Sequence, residues 1–344
     1  MKIAVYGASG YQGKLVLAEL AHRDIDMVLM GRSRERLRAA ADEVGLPDAE
    51  IRVTGTDCSH ALASVDAVIN CAGPFAESGD AVARAAITAG CHYVDVAGEQ
   101  LFVKRILDTL GAGAERAGVA LVPMMTESGA IDDLLAAVLA ERLRPAEMTL
   151  AHRNVNTGGI SRGSARSALK TIDFLRGGGL GYEDGQWRTD IPALRDSVTF
   201  PDGEEVPVVK FAMPAVVTIP RHVRVDHVQG FLDAATGARL TGSALTDELV
   251  EAMPEGPSEE NRREQRFTVV VDATGHDGRT IQAMATGTDT YGTPARMAVE
   301  GARRLVVDPP KPGVLTPAQA FSPADFLDYL RDNGLTWTIG APSG

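Results

Sequence analysis

The sequence predicts an α/β fold: an N-terminal doubly wound parallel sheet, then a second, α+β domain organised around a mainly antiparallel sheet. Three observations carry that reading. From Met1 to about Pro123, short apolar runs alternate with helical patterns, the βαβα rhythm of a parallel sheet buried on both faces. A glycine-rich turn, Gly7-Ala8-Ser9-Gly10-Tyr11-Gln12-Gly13, joins the first of these runs to the first helix. After about Met124 the rhythm gives way to longer segments in which polar and apolar residues alternate, as in half-buried antiparallel strands.

In the first region, strands are expected at 3–6, 27–30, 51–53, 67–71, 93–96 and 119–122, with helices at 12–21, 34–44, 79–89 and 101–117. A helix at 130–143, with Ile131, Leu134, Leu135, Val138 and Leu139 on one stripe, opens the second region and stops at Pro145. Strands follow at 149–155, 206–211, 216–219 and 223–232. The segments 266–274 and 280–288 form a hairpin about His276-Asp277-Gly278. A helix is expected at 168–175, and loops at 177–181 and 254–263. Helices at 293–305 and about 326–330 close the chain.

With 344 residues the chain is too long for one small core. The boundaries expected are a first domain over 1–125, joined by 290–344, and a second over 126–289. A formal net charge of −12 argues against a general nucleic-acid surface while leaving room for a local basic pocket. Cys58, Cys71 and Cys91 have neither the number nor the spacing of a disulfide framework or a zinc site, which suits a reducing cytoplasm. No apolar run is long enough to span a membrane, and the first strand begins near Lys2, which leaves no room for a signal peptide.

Ligands of parallel sheets bind at the carboxyl ends of the strands, so those ends carry the functional reading. The glycine turn suits a phosphate at a helix N-terminus, although its spacing is G-x-x-G-x-x-G and not G-x-G-x-x-G. Gly7, Ser9, Gly10, Tyr11 and Gln12 are its candidate contacts. After the second strand stands Gly31-Arg32-Ser33-Arg34, with no acidic residue to take a ribose 2′-hydroxyl. Arg32, Ser33 and Arg34 are therefore a candidate 2′-phosphate clamp, and NADP(H) the expected cofactor; a solvated arginine pair at a helix start is the plainer alternative. Asp57 is either an adenine contact or a helix cap. Cys71, Ala72, Gly73, Pro74 and Phe75 follow the fourth strand, where small residues let a nicotinamide approach the backbone. Cys71 reads as a small residue at the core edge, not a nucleophile. Tyr93 and Asp95 share one face of the fifth strand and, with Glu99, are candidates to line a cleft; capping of the helix near Gln100 by Asp95 and Glu99 is the alternative.

In the second region, Gly158–Ser167 carries Arg162 and Arg166 in a Gly/Ser loop before a helix, either an anion site or a surface cap. His152 and Arg153 lie just before it on a strand.

Taken together, Gly7–Gly13, Gly31-Arg32, Asn70–Phe75 and the run from Gly90 to Glu99 resemble the saccharopine dehydrogenase-like family, which includes saccharopine reductases and trans-acting enoyl reductases. The runs Tyr291–Glu300 and Gly313–Ala318 are similar to the family's closing segment. The resemblance implies an NADP-binding Rossmann domain, a last helix packed back onto it, and a second domain for substrate and homodimer formation. Where family members carry a Gly-Phe-containing segment with a proline before an acidic helix start, this chain has Met124-Met125-Thr126-Glu127-Ser128-Gly129-Ala130-Ile131-Asp132, a departure beside the nicotinamide pocket.

The expected activity is NADPH-dependent reduction of a polarised C=C or C=N bond in a small anionic metabolite lying between Pro74-Phe75 and the second domain. Candidate catalytic residues are Tyr93, as proton donor or orienting hydroxyl, Asp95, His152 and Arg153, the last grouped with the Arg162–Arg166 loop as anion anchors. Oxidation of an amine or amino acid in the reverse direction is the rival enzymatic reading. A non-catalytic NADPH-binding sensor is the rival of another class.

Overall fold

A computed structural model of the chain describes residues 1–155, 159–242 and 245–343. The first six strands are β1 (Lys2–Tyr6), β2 (Asp26–Gly31), β3 (Glu50–Val53), β4 (Ala67–Asn70), β5 (His92–Asp95) and β6 (Ala120–Val122). With the two-residue strand Gly313–Val314 they form a seven-stranded sheet, whose spatial order is 313–314, β6, β5, β4, β1, β2, β3. Every pairing in it is parallel. The expected doubly wound sheet is therefore present. Its strand order reverses between β1 and β4, the place where a crevice opens for a dinucleotide.

The helices of this unit are α1 (Tyr11–His22), α2 (Arg34–Glu43), α3 (Phe75–Ala89), α4 (Gln100–Thr109) and α5 (Gly111–Ala117). The single helix expected over 101–117 divides at Leu110, because Gly111 and Gly113 weaken helix continuity there. Gly90 ends α3 in the left-handed conformation at φ 70°, a position suited to glycine.

The second sheet has nine strands, with β7 (Pro145–Val155) at its centre. Strand 227–233 lies parallel to β7 on one side, and strand 266–275 antiparallel on the other. The hairpin with 280–288 forms as expected, Gly278 taking φ 81° at its turn. The predicted α+β, mainly antiparallel character is thus observed. Strand 336–339 pairs with 280–288 at the edge, while the helix Gly292–Val307 lies along α1, linked there by Gln12 to Tyr291 and Arg23 to Glu300. One apolar core runs through both sheets by way of α6 (Asp132–Ala140) and that late helix.

Four expectations need correction. Residues 216–219 are not a strand: Pro214–Val217 and Ile219–Arg221 are short 3-10 turns, since Pro214 and Pro220 have no N–H to give a ladder. The helix expected from 130 begins as an irregular turn at Glu127–Ile131 and becomes α-helical at Asp132. The loop expected over 254–263 contains the helix Glu259–Glu264, capped by the Ser258 hydroxyl, which accepts from Asn261 N at 3.2 Å. The helix expected at 168–175 starts earlier, as α7 (Arg162–Lys170), and a second short helix follows at Ile172–Arg176. No helix among the described residues is long and apolar enough to cross a membrane.

Candidate active site

The turn between β1 and α1 is shaped by exclusion. A Cβ on Gly7, which sits at φ 80°, would lie 2.9 Å from Ala72 Cβ and N; one on Gly13 would lie 2.3 Å from the Gly7 carbonyl oxygen. Only glycine lets the turn press against the loop after β4 and lets α1 start directly beneath it. Gly10, the N-cap of α1, contributes no side-chain cap, so the first-turn N–H groups are open to an anion. This cradle fits a cofactor pyrophosphate. Ser9, Gly10, Tyr11 and Gln12 line it half-exposed. The side chains of Tyr11 and Gln12 reach to later parts of the chain, Tyr11 donating to Pro257 O at 2.6 Å and Gln12 to Tyr291 O, in the closing segment, at 3.1 Å.

At the end of β2, Arg32 and Arg34 are exposed, and neither forms an ion pair among the described residues. Ser33 caps α2, its hydroxyl accepting from Arg36 N at 3.3 Å. Two free guanidinium groups beside a helix start fit a 2′-phosphate. Asp57 is exposed beyond β3.

The loops after β4, β5 and β6 meet in a buried network. Asn70 donates to the Tyr93 hydroxyl at 3.2 Å, and Tyr93 donates to Asp95 at 2.8 Å. Asp95 accepts in turn from Ala97 N and Met124 N. Burial pushes the Asp95 carboxyl up to about 6 despite these bonds. Tyr93 is 0% exposed and its hydroxyl is fully engaged, so it does not face a cleft as a proton donor would. Burial likewise raises the Cys71 thiol far above its usual range, in keeping with an inert residue. Gly73 and Pro74 stay accessible, while the Phe75 ring turns into the core against Phe102. Glu99 holds the start of α3, accepting from Phe75 N and Ala76 N, and also from the Ser167 hydroxyl of α7 at 2.7 Å.

A second polar cluster lies where β6 leads into α6. His152 Nε2 lies 2.9 and 3.0 Å from the two carboxylate oxygens of Asp132, both residues buried. Burial alone would push His152 down, but Asp132 raises it. Beside this pair is Glu127, half-buried, with no side chain bonded to its carboxylate among the described residues. Burial raises Glu127 to about 7; its own backbone N–H and His152 oppose the rise, and Asp132 adds to it. The Thr126 hydroxyl next to it is buried without a partner among the described residues.

The arginines expected to anchor an anion are placed elsewhere. Arg153 points to the face of β7 opposite His152 and pairs with Asp202 and Glu204. Arg162 donates to Met253 O, and Arg166 pairs with Glu251. Gly158 lies outside the described residues; Ser161 caps α7 by accepting from Ser164 N at 3.1 Å. Glu127 lies within the unusual 124–132 stretch and is not among the residues that the sequence marks as candidates. Its place five residues beyond β6, at a carboxyl strand end, is the signal that marks it.

Residues 3–127 match the family model of the saccharopine dehydrogenase NADP binding domain. Over this stretch, the chain is similar to the saccharopine dehydrogenase-like proteins. The matched model supports NADP(H) as the cofactor. The chain is 30% identical over 129 residues to a trans-acting enoyl reductase of Mycobacterium ulcerans, a match covering 35% of this chain and 31% of that protein. It is 27% identical over 217 residues to the human saccharopine dehydrogenase-like oxidoreductase, covering 56% of this chain and 46% of that protein. These matches span less than half the length of either relative. The fold as a whole is that of the L-Glu-forming saccharopine dehydrogenase of Saccharomyces cerevisiae, with a TM-score of 0.60 at 14% identity over 99% of this chain and 100% of that one.

Proposed function

We propose that the protein is an NADP(H)-dependent oxidoreductase that reduces a polarised C=N or C=C bond of a small metabolite, with Glu127 as the acid that completes the reduction. The observation that carries this reading is the Glu127 carboxyl, half-buried beyond the carboxyl end of β6, unbonded by other side chains among the described residues and raised toward neutral pKa by burial. An acid of that strength is protonated often enough at pH 7 to give its proton and basic enough afterwards to take another. The bound reduced nicotinamide supplies hydride. Glu127 then delivers a proton to the atom on which negative charge develops, and the Asp132–His152 pair fixes its surroundings. The same carboxylate accepts a proton from an amine in the oxidative direction, so direction follows from substrate supply. The anionic group inferred for the substrate from Arg153, Arg162 and Arg166 loses its support, because all three are engaged.

The test is NADPH oxidation against a panel of imines, enones and enoyl thioesters. Turnover of at least one class is expected, with Glu127→Gln slowing it by about 100-fold or more at unchanged NADPH affinity. Absence of turnover across all three classes supports a non-catalytic NADPH sensor instead.

A further inference from the structure

We infer that Asp95, Tyr93 and Asn70 form a positioning clamp that ties the loops after β4, β5 and β6 into one shelf beneath the reactive end of the cofactor, without touching the substrate. The inference rests on the reading that the nicotinamide half lies over these three strand ends.

The connectivity is continuous. Asn70 Oδ1 accepts from Ala72 N at 3.0 Å, fixing the loop after β4. Its amide donates to the Tyr93 hydroxyl, which donates to Asp95 Oδ2. Asp95 Oδ1 accepts from Ala97 N at 3.0 Å and from Met124 N at 2.8 Å, fixing the loops after β5 and β6. The Asp95 backbone carbonyl adds a bond from Met125 N at 2.8 Å. All three side chains are 0% exposed.

Two features separate this network from ordinary core polarity. Met124 sits at φ 59°, a left-handed conformation costly for a side chain of its size. Bonds from its own N–H and from Met125 N, both ending on Asp95, hold it there. Ala72 is also the residue that a Cβ on Gly7 would strike. The clamp therefore sets the gap between the phosphate turn and the nicotinamide shelf. Burying a carboxylate is costly unless it is fully bonded, and an apolar trio would fill the same volume more cheaply. What the polar trio adds is a fixed distance between three backbone loops.

The experiment titrates the wild type, Tyr93→Phe, Asn70→Ala and the double variant with NADPH, and separately with 2′-phosphoadenosine 5′-diphosphate, which lacks the nicotinamide half. Bound NADPH is read by its fluorescence emission, and folding by thermal melting. The clamp predicts that NADPH binding weakens by about tenfold in each single variant, with emission moving toward that of free NADPH. Affinity for the adenine half stays within about twofold, and the double variant is no weaker than the worse single one, because both belong to one chain of bonds. Asn70→Ala deletes the acceptor of Ala72 N and the donor to the Tyr93 hydroxyl but keeps the Tyr93–Asp95 bond, so it carries the test if Tyr93→Phe folds poorly. Equal losses for both ligands, or no loss for either, would overturn the clamp. A wild type that binds neither ligand refutes the cofactor reading and the clamp with it, and is told apart by the control titration alone.

Discussion

The Tyr11 hydroxyl donates to the Pro257 carbonyl oxygen over 2.6 Å, joining the first turn of the cofactor cradle to a segment that follows in sequence by more than two hundred residues. The contact is close on both sides: a Cβ on Gly256 would lie 2.6 Å from the Tyr11 ring. Lys14 pairs with Glu255 at 2.8 Å in the same segment, and Arg162 N donates to Glu255 O at 3.0 Å. Residues 253–257 thus strap α7 to the start of α1, beside the cradle. Tyr11→Phe removes the bond and keeps the ring, and is expected to speed NADPH release by roughly three- to tenfold. Gly256→Val, which forces strap and ring apart, should speed it further. Stopped-flow release against excess NADP⁺ checks both; unchanged rates would remove the strap from cofactor exchange.

Among the described residues, Arg32 and Arg34 form no ion pair, and both are exposed at the end of β2. Arg32→Ala together with Arg34→Ala is expected to weaken NADPH by about 10- to 100-fold, the worth of one or two charge-assisted hydrogen bonds. NADH, which has no 2′-phosphate, should bind as before. Fluorescence titration of both cofactors measures the difference, and an equal loss for both would place the 2′-phosphate elsewhere.

Glu127 sets the pH dependence. Its folded-state carboxyl is raised to about 7, so the protonated, proton-giving form declines as pH climbs through that value. The reductive rate should fall above about pH 7 and the oxidative rate rise across the same range, and Glu127→Gln should flatten both. The same shift makes stability decline as pH rises from the ordinary carboxyl range through 7, because the unfolded chain loses that proton more readily than the folded one. Rate profiles in both directions check the first statement, and denaturant melts at pH 5 and pH 8 the second.

Asp133 holds a second buried junction. It accepts from Thr218 Oγ1 at 2.6 Å, His222 Nε2 at 2.8 Å and Ala318 N at 2.9 Å, tying α6 to a 3-10 turn and to the closing segment. Burial opposes the charge on His222, but Asp133 outweighs it and raises the imidazole. That contribution is complete below the ordinary histidine value and is lost as pH rises through the raised one. Asp133→Leu leaves His222 without its anion and is expected to cost about 3–5 kcal/mol in urea unfolding, with a weaker decline between pH 6 and 8.5 than in the wild type.

The first sheet was legible because each of its strands is a short apolar run bounded by turn residues, and β1, the glycine turn and α1 agree at every level. The arginine pair stands out because the acidic residue expected after β2 of an NAD-binding sheet is missing, and the structure leaves both side chains exposed. Tyr93 and Asp95 were correctly placed on one face by alternation, but alternation does not say whether a face looks into a cleft or into the core. Arg153 failed for the opposite reason: adjacent to His152 in sequence, it lies on the other side of the strand. The Asp132–His152 pair could not be read, since its partners come from a helix and a strand that only the packing of α6 on β7 brings together. Residues 216–219 look like a strand by composition, and the two flanking prolines decide otherwise.

The most direct test of the account is a crystal structure of the complex with NADP⁺. The account predicts the pyrophosphate on the Gly7–Gly13 turn, the 2′-phosphate between Arg32 and Arg34, and the nicotinamide ring over the 72–74 loop with its C4 facing the Glu127 carboxyl. A nicotinamide ring directed away from Glu127, or a 2′-phosphate bound without either arginine, would contradict it.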